Sequence, residues 1–168
     1  MKVGIISDTH ERLDHIARAI RIFQDRHVSV VIHAGDYTSG KAVRAFEGVN
    51  LVGVLGNNDV ADKQEIIKAF RDIGAKLEEK DVCEMVLDGL KFAIYHGTDG
   101  KRKEELIESN RYDLIICGHT HMVENKRTGM YKHTLFLNPG VASGLFFGKW
   151  ATAMLLDTQT RGVEIIYL

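Results

Sequence analysis

The sequence predicts an α/β fold made of two packed, mixed β-sheets that helices flank. Two observations carry this prediction. Apolar runs of strand length alternate with amphipathic segments of helical period up to residue 72, an order typical of a parallel sheet. From about residue 75 a hairpin signal and several short strands follow, which favours a mainly antiparallel second half. No repeat or linker interrupts the pattern, so residues 1–168 are expected to form one domain.

The elements of the first half follow from their periodicity. Strands are predicted at residues 3–7, 28–34 and 51–55, and helices at 12–26, 41–47 and 62–72. In the first helix Ile16, Ala19 and Phe23 fall on one face, because residues three and four positions apart are neighbours on a helix. Each helix is therefore expected to bury one side against the sheet.

The elements of the second half follow from turn chemistry. Asp88 and Gly89 join two apolar runs, and Asp-Gly is a strong signal for a two-residue hairpin turn. The remaining predictions are a helix near 102–109 and strands near 112–117, 122–127, 133–137, 150–157 and 162–167.

Composition excludes several classes of protein. A net charge of -1 gives no bulk signature of nucleic-acid binding, and no apolar run reaches the roughly 18 residues that span a bilayer. Cys83 and Cys117 lie in apolar runs and are expected to be buried thiols in a reducing compartment. The start of the sequence has no signal-peptide pattern, so a cytoplasmic location is expected.

Side chains that can bind metal follow five of the predicted strands. The segments are SDTH (7–10), AGDY (34–37), GNND (56–59), YHG (95–97) and GHTH (118–121). Binding sites of open α/β sheets lie at the carboxyl ends of strands, so these five segments are expected to share one site. Taken singly, each is also ordinary turn chemistry; the metal prediction depends on their coincidence.

The spacing within these segments supports a shared site. Asp8 and His10 are two residues apart, as are His119 and His121, and on an extended chain such residues face the same side. Each pair is therefore expected to point into one crevice.

The donor types indicate the kind of metal. A glycine precedes Asp36, Asn57 and His119, which lets the backbone turn sharply or lets another strand end approach closely. Carboxylate, imidazole and amide donors without thiolate suit Mn, Fe, Ni or Zn. Seven donors are too many for one such ion, but two ions that share a bridging carboxylate would use them.

Together these segments form the ordered motifs D-x-H, GD, GN-x-D, H and GH-x-H. With them the sequence resembles the calcineurin-like metallophosphoesterases, and specifically the small stand-alone phosphodiesterases of archaea and bacteria. The resemblance extends over essentially the whole chain. The resemblance implies a four-layer αββα sandwich that binds two divalent transition-metal ions. The implied ligands are Asp8, His10, Asp36 and His121 for one ion, and Asp36, Asn57, His96 and His119 for the other. Asp36 would bridge the two.

The same resemblance implies hydrolysis of small phosphate diesters by in-line attack of a hydroxide that bridges the metals. Asn58 departs from the pattern of the family, because larger members carry a histidine at this position that is assigned as general acid. An amide donates a hydrogen bond but gives up no proton near neutral pH. Asn58 is thus the candidate catalytic residue, and activity is expected to be clear on activated diesters and weaker on alkyl esters.

Other interpretations stay open at this point. One is a phosphomonoesterase or nucleotidase of the same fold, and another is a non-catalytic scaffold like the retromer coat subunit, whose metal site is degraded. All seven ligand positions are intact, which argues against the scaffold. Aromatic residues in 143–150 suggest a substrate lid or a dimer contact, so a homodimer or homotetramer is a further expectation. His33 is interpreted as a core histidine.

Overall fold

The computed structural model describes residues 1–130, 132–144 and 150–168, and within these ranges every predicted strand and helix is present. The strands are β1 (Lys2–Ile6), β2 (Val30–His33), β3 (Leu51–Val54), β4 (Lys76–Glu78), β5 (Val82–Leu87), β6 (Leu90–Tyr95), β7 (Leu114–Ile116), β8 (Val123–Thr128), β9 (Thr134–Pro139), β10 (Thr152–Asp157) and β11 (Gly162–Tyr167). The helices are α1 (Leu13–Asp25), α2 (Gly40–Arg44), α3 (Lys63–Asp72) and α4 (Gly100–Glu108). The prediction of a lid or dimer contact at 143–150 falls mostly on residues outside the described ranges.

The strands form two mixed sheets. One has the order β11-β10-β1-β2-β3-β4, in which β1 to β4 run parallel. β10 pairs antiparallel with β1, and β11 pairs antiparallel with β10. The other has the order β5-β6-β7-β9-β8. The predicted two-sheet α/β fold is confirmed.

The second half is mainly antiparallel, as expected, because β5 with β6, β8 with β9 and β10 with β11 are antiparallel pairs. Two of its pairings were not expected. β6 pairs parallel with β7, and β7 pairs parallel with β9. Parallel neighbours need a crossover connection, and α4 supplies it between β6 and β7. The hairpin signal was correct, since Asp88 and Gly89 have φ angles of 51° and 78°, as a type I′ turn requires.

Apolar side chains pack in three layers between the sheets and helices. The inner faces of the two sheets bury Ile5 and Ile32 against Ile94 and Leu137. The outer face of the six-stranded sheet is covered by α1, α2 and α3, and the outer face of the other sheet by α4. Each fully buried Ile, Leu or Phe contributes roughly 1.5–3 kcal/mol through removal of apolar surface from water. The order of layers is α, β, β, α, as the resemblance implied.

Both cysteines are buried free thiols, as predicted. Cys83 lies between the sheets, and burial raises the pKa of the Cys117 thiol, which packs under α4, to about 12. Among the helices of the described ranges, none is long and apolar enough to cross a membrane.

Candidate metal centre

The eight predicted site residues come together at one edge of the sandwich, each in a loop that follows a strand. They are Asp8 and His10 after β1, Asp36 after β2, Asn57 and Asn58 after β3, His96 after β6, and His119 and His121 after β7. Because β1, β2 and β3 run parallel, as do β6 and β7, their carboxyl ends deliver these side chains to the same edge. Both sheets therefore contribute to the site.

The two histidine-containing pairs converge for a different reason from the one predicted. Asp8, His10, Asp36, His119 and His121 have φ angles between 40° and 66°, in the left-handed region. The pairs thus do not lie on extended chain, and strand alternation does not orient them. Left-handed backbone costs a residue with a side chain about 1–3 kcal/mol, and such conformations concentrate at functional sites.

Two of the glycines before the donors are required by close approach of backbone and side chains. A Cβ on Gly56 would overlap Asp36 Oδ1. A Cβ on Gly118 would overlap Ser7 Oγ and lie 2.7 Å from Asp8 Oδ2. The prediction that these glycines admit a neighbouring strand end is confirmed.

Asp36 lies at the centre of the donor cluster and is buried. Its Oδ1 accepts the backbone N–H of Asn58 at 2.9 Å, and its Oδ2 accepts the side-chain amide of Asn58 at 2.6 Å. His96 Nε2 lies 3.5 Å from Oδ1, and His10 Nε2 lies 3.8 Å from Oδ2. Burial by itself would raise the pKa of Asp36, but His96 and the Asn58 amides lower it below the usual value. Asp36 is thus a carboxylate at neutral pH.

Donor atoms of five residues form two groups in which all members lie within 4.8 Å of one another. The groups are Asp8, His10 and His121, and Asp8, Asp36 and His96. The first matches three of the four ligands implied for one ion. The second joins two ligands of the other set to Asp8, which the resemblance assigns to the first ion. Since Asp8 belongs to both groups, the donors form one continuous cluster.

The two remaining donors lie beside the second group. Asn57 Oδ1 is 3.0 Å from His96 Nε2. The ring of His119 lies 5.2 Å from that of His96, and its backbone N–H donates to Asp8 Oδ2 at 3.1 Å. Burial lowers the pKa of His119, so its ring is neutral at pH 7, the form in which histidine binds metals.

One buried nitrogen of the cluster is consistent with a bound cation. His10 Nε2 is buried, and no hydrogen-bond partner for it lies within the described residues. Buried polar atoms of side chains are nearly always satisfied, and an exception calls for an ion, a water or a catalytic role. Two carboxylates near this nitrogen, Asp8 at 4.0 Å and Asp36 at 3.8 Å, are also candidate metal donors.

His96 gives a second indication. Its Nδ1 lies 2.7 Å from the carbonyl oxygen of Ala34, which can only accept, so Nδ1 carries the proton. In the neutral ring Nε2 is then a lone pair that faces Asn57 Oδ1 and Asp36 Oδ1, and either a proton on Nε2 or a bound cation satisfies this set of acceptors. Burial lowers the pKa of His96, but the Asp36 carboxylate outweighs burial and raises it above the usual value. The residues therefore fit divalent metal ions.

Asp59 holds two of the site loops together. Its Oδ2 accepts the backbone N–H groups of Asp36 at 3.0 Å and Gly56 at 2.7 Å, and its Oδ1 accepts that of Thr38 at 2.8 Å. The sequence indicated a turn at this position, but it did not show that the carboxylate binds the loop after β2. This single buried side chain fixes Asp36 relative to Asn57.

Two more buried polar residues support the donors, and sequence analysis missed their role. His33 accepts the N–H of Gly35 through Nδ1 at 3.1 Å and so donates from Nε2 to Thr9 Oγ1 at 3.1 Å. It is a fully buried histidine, as predicted, and it also links the loops after β1 and β2. Asn138 donates to the carbonyl oxygen of Gly118 at 2.8 Å and to Thr120 Oγ1 at 3.0 Å. The only feature of the sequence that could have indicated this role is the position of Asn138, a polar residue at the end of the apolar run of β9.

The donors open into a cleft of about 450 Å³. Its walls are His10, Asp36, Thr38, Asn57, Asn58, His119 and His121. This volume lies within the range of about 300–1,000 Å³ that is typical of sites for small molecules. The cleft therefore suits a small ligand that binds to metal ions.

Comparison with known proteins shows the family to which this chain belongs. The sequence profile of the calcineurin-like phosphoesterase superfamily domain matches residues 1–161. A phosphodiesterase of Methanocaldococcus jannaschii is 36% identical over 170 residues, which cover 100% of this chain and 99% of that protein. A solved structure of an archaeal phosphodiesterase has a TM-score of 0.92 and 35% identity, and the alignment covers 100% of both chains.

A more distant structure shows the fold alone. Vacuolar protein sorting 29 of Cryptosporidium parvum has a TM-score of 0.70 and 19% identity, with 99% of this chain and 96% of that one covered. The phosphodiesterase of Methanocaldococcus jannaschii is far more similar in sequence, with 36% identity over the full length of this chain. On these grounds the chain belongs to the calcineurin-like phosphoesterase superfamily.

Proposed function

We propose that this protein is a metal-dependent phosphodiesterase with a centre of two divalent ions. The observation that carries the proposal is the convergence of seven residues with oxygen or nitrogen donors, with Asp36 at the centre, from five strand ends. The full-length relative that is named a phosphodiesterase supports the choice of reaction. The substrate is then a small phosphate diester, in keeping with the volume of the cleft.

Asp8, His10, Asp36 and His121 would hold one ion, and Asp36, Asn57, His96 and His119 the other. When bound, two such ions activate water for attack and stabilise negative charge on the phosphoryl oxygens. The oxygen and imidazole donors favour Mn, Ni, Fe or Zn. Asp8 and Asp36 offset only part of the positive charge, so the centre attracts a phosphate ester although the chain has a net charge of -1.

Asn58 is proposed to act by hydrogen bonding alone. Its side-chain amide donates to Asp36 Oδ2 at 2.6 Å, and the residue is exposed at the wall of the cleft. There it orients the shared carboxylate and can meet a phosphoryl oxygen. Since an amide supplies no proton near neutral pH, the leaving alcohol receives no general-acid assistance from this position. Substrates with good leaving groups are therefore favoured.

The test uses chelator-stripped protein with bis-p-nitrophenyl phosphate and p-nitrophenyl phosphate, with and without Mn²⁺ or Ni²⁺. We expect added metal to restore diester hydrolysis, and Asp36→Ala to reduce it to less than about one hundredth, since even partners of metal ligands contribute 10- to 100-fold. Asp25→Asn, an exposed carboxylate at the end of α1, is the matched control.

Three outcomes would contradict the proposal. Hydrolysis that does not depend on metal would contradict the proposed centre of two metal ions. Faster cleavage of the monoester would favour a phosphomonoesterase or nucleotidase. Folded protein that cleaves neither ester with any metal would favour the scaffold.

We also propose a reducing compartment such as the cytoplasm, because Cys83 and Cys117 are both buried free thiols. Alkylation of denatured protein isolated from its cells, followed by mass spectrometry, would count the reduced thiols. The expected homodimer or homotetramer stays a prediction that light scattering can check.

A further inference from the structure

An exposed apolar pocket adjoins the metal cleft. Among the described residues, eight large apolar side chains are exposed, and five of them line this one pocket of about 310 Å³. The five are Met122, Val123, Trp150, Ile165 and Tyr167. Isolated exposed apolar side chains are normal, but a cluster of this kind marks a binding surface.

The edges of both sheets build the pocket. Ile165 and Tyr167 are alternate residues of β11 and so face the same side. Val123 begins β8, the edge strand of the other sheet. Trp150 lies two residues before Thr152, the partner of Tyr167 in the ladder between β10 and β11. The pocket therefore spans the opening between the two edge strands.

Two aromatic rings give the pocket its chemistry. Trp150 is 77% exposed and Tyr167 is 58% exposed, and their ring centroids are 6.2 Å apart at an angle of 84°. This edge-to-face pair leaves ring surface open to solvent. A third ring can stack on one member of the pair and meet the edge of the other, which are the two arrangements that aromatic rings prefer.

The pocket and the metal cleft are neighbours that share one lining residue. His121, a proposed metal ligand, lines both. A group attached to a phosphorus atom at the metal centre would thus enter the pocket directly past His121. The volume of about 310 Å³ lies at the lower end of the range for small-molecule sites, which suits one ring-bearing group.

The opposite side of the cleft has a different chemistry. There Asn57 is shared with a second pocket of about 300 Å³, whose lining includes Lys63, Glu79, Lys80 and Asp81. Val60 and Tyr95 also line this pocket, but an apolar group that entered it would have to desolvate the charges as well. The two sides therefore sort the two substituents of a diester by polarity.

We propose that the pocket of Val123, Trp150, Ile165 and Tyr167 binds an aromatic substituent of the phosphodiester. The inference rests on the proposed function, because it places the phosphorus at the metal centre. The protein would then prefer diesters with one aromatic arm, such as aryl esters or nucleotides whose base reaches the pocket, over diesters with only small alkyl arms.

The test measures binding of phenylphosphonate and methylphosphonate to the manganese-loaded protein by calorimetry. Each compound has a single substituent, so the orientation of a two-armed substrate does not complicate the result. We expect phenylphosphonate to bind about ten-fold more tightly, as a single stacking contact provides. Trp150→Ala and Tyr167→Ala should lower this preference to about one, whereas Trp150→Phe should keep most of it.

Val86→Ala is the matched control, since Val86 is 63% exposed on β5 and lies outside the pocket; it should keep the full preference. Equal binding of the two phosphonates by the unaltered protein would overturn the inference and leave the metal centre intact.

Light scattering on Trp150→Ala provides another check. A variant that loses an oligomeric state and keeps the phenyl preference would assign the pocket to self-association instead. Failure of the proposed function can be distinguished from failure of this inference, because in that case the unaltered protein would show no metal-dependent hydrolysis of bis-p-nitrophenyl phosphate.

Discussion

Asn58 combines a strong hydrogen bond with an inability to donate a proton. The amide donates to Asp36 Oδ2 at 2.6 Å, at the position where the family resemblance leads one to expect a histidine. Loss of a general acid affects esters with poor leaving groups most, because their alkoxides most need a proton. Under the proposed function, position 58 would set the range of leaving groups without changing the proposed donor set for metal.

The variant Asn58→His tests this role. We expect its kcat/KM to rise roughly 10- to 100-fold for alkyl phosphodiesters and much less for p-nitrophenyl esters, in line with the lower range of general-acid effects. Steady-state kinetics on a series of diesters with leaving groups of increasing pKa would measure the change in slope. Asn58→Ala, which removes the amide and adds no acid, should show no such change. An equal gain on all esters would mean that the histidine acts in some other way.

At the scale of single residues, the donors were predictable and their supports were not. Asp8, His10 and the other donors stand out in the sequence because their side-chain types are unusual at strand ends. Two of the three partners of Asp59 are backbone N–H groups more than 20 residues away, which leave no trace in side-chain types. Likewise His33 has the sequence context of an ordinary core residue, since its hydrogen bonds to Thr9 and Gly35 depend on the packing of β1 against β2.

At the scale of elements, the ends of β1 and β7 meet across the two sheets. Gly118, two residues after β7, lies against Ser7 and Asp8, directly after β1. A methyl group there would overlap Ser7 Oγ and push apart the loops that carry two pairs of donors. The contact is between elements, so its effect should reach both stability and metal binding.

Gly118→Ala is therefore expected to lower the free energy of unfolding by about 1–3 kcal/mol, the usual cost of overpacking, and to weaken metal binding. Urea denaturation of the metal-free protein and calorimetric titration with Mn²⁺ would measure the two effects. Gly100→Ala is the matched control: the added Cβ would meet nothing within 4 Å at the start of α4. Unchanged stability and affinity in Gly118→Ala would contradict the close approach.

Element prediction succeeded where a periodic apolar pattern was present. β4 was missed because Lys76, Leu77 and Glu78 are too few and too polar to show a strand period. Their strand state comes from backbone pairing with β3. The pairing of β10 with β1 was also invisible, since their partnership joins residues about 150 positions apart. Local sequence indicates that a strand exists, and the packing of the whole chain decides its neighbours.

At the scale of the whole molecule, the proposed metal donors come from both sheets. Asp8, His10, Asp36 and Asn57 belong to loops of the six-stranded sheet, and His96, His119 and His121 to loops of the five-stranded sheet. Ions that bind both sets would link the sheets at one edge. Binding to the folded state alone stabilises a protein in proportion to the logarithm of ligand concentration.

Metal should therefore raise the thermal stability of the entire domain. With free Mn²⁺ at about 100 times its dissociation constant, we expect a gain of about 2.7 kcal/mol. For a domain of this size that corresponds to an increase in Tm of roughly 5–10 °C. Differential scanning calorimetry of stripped and reloaded protein would measure it, with Asp36→Ala as the variant that loses the shift. A shift of equal size in Asp36→Ala would place metal binding elsewhere.

The left-handed backbone at five donor positions has an evolutionary consequence. Glycine relieves the strain there, so replacing a donor by glycine removes this energetic cost from the metal-free fold. A descendant of this protein that was released from selection for hydrolysis would gain folding stability as it lost its metal ligands. Decay of the site would then be favoured by selection for stability and would proceed faster than by drift alone, while the four-layer scaffold remained available for other uses.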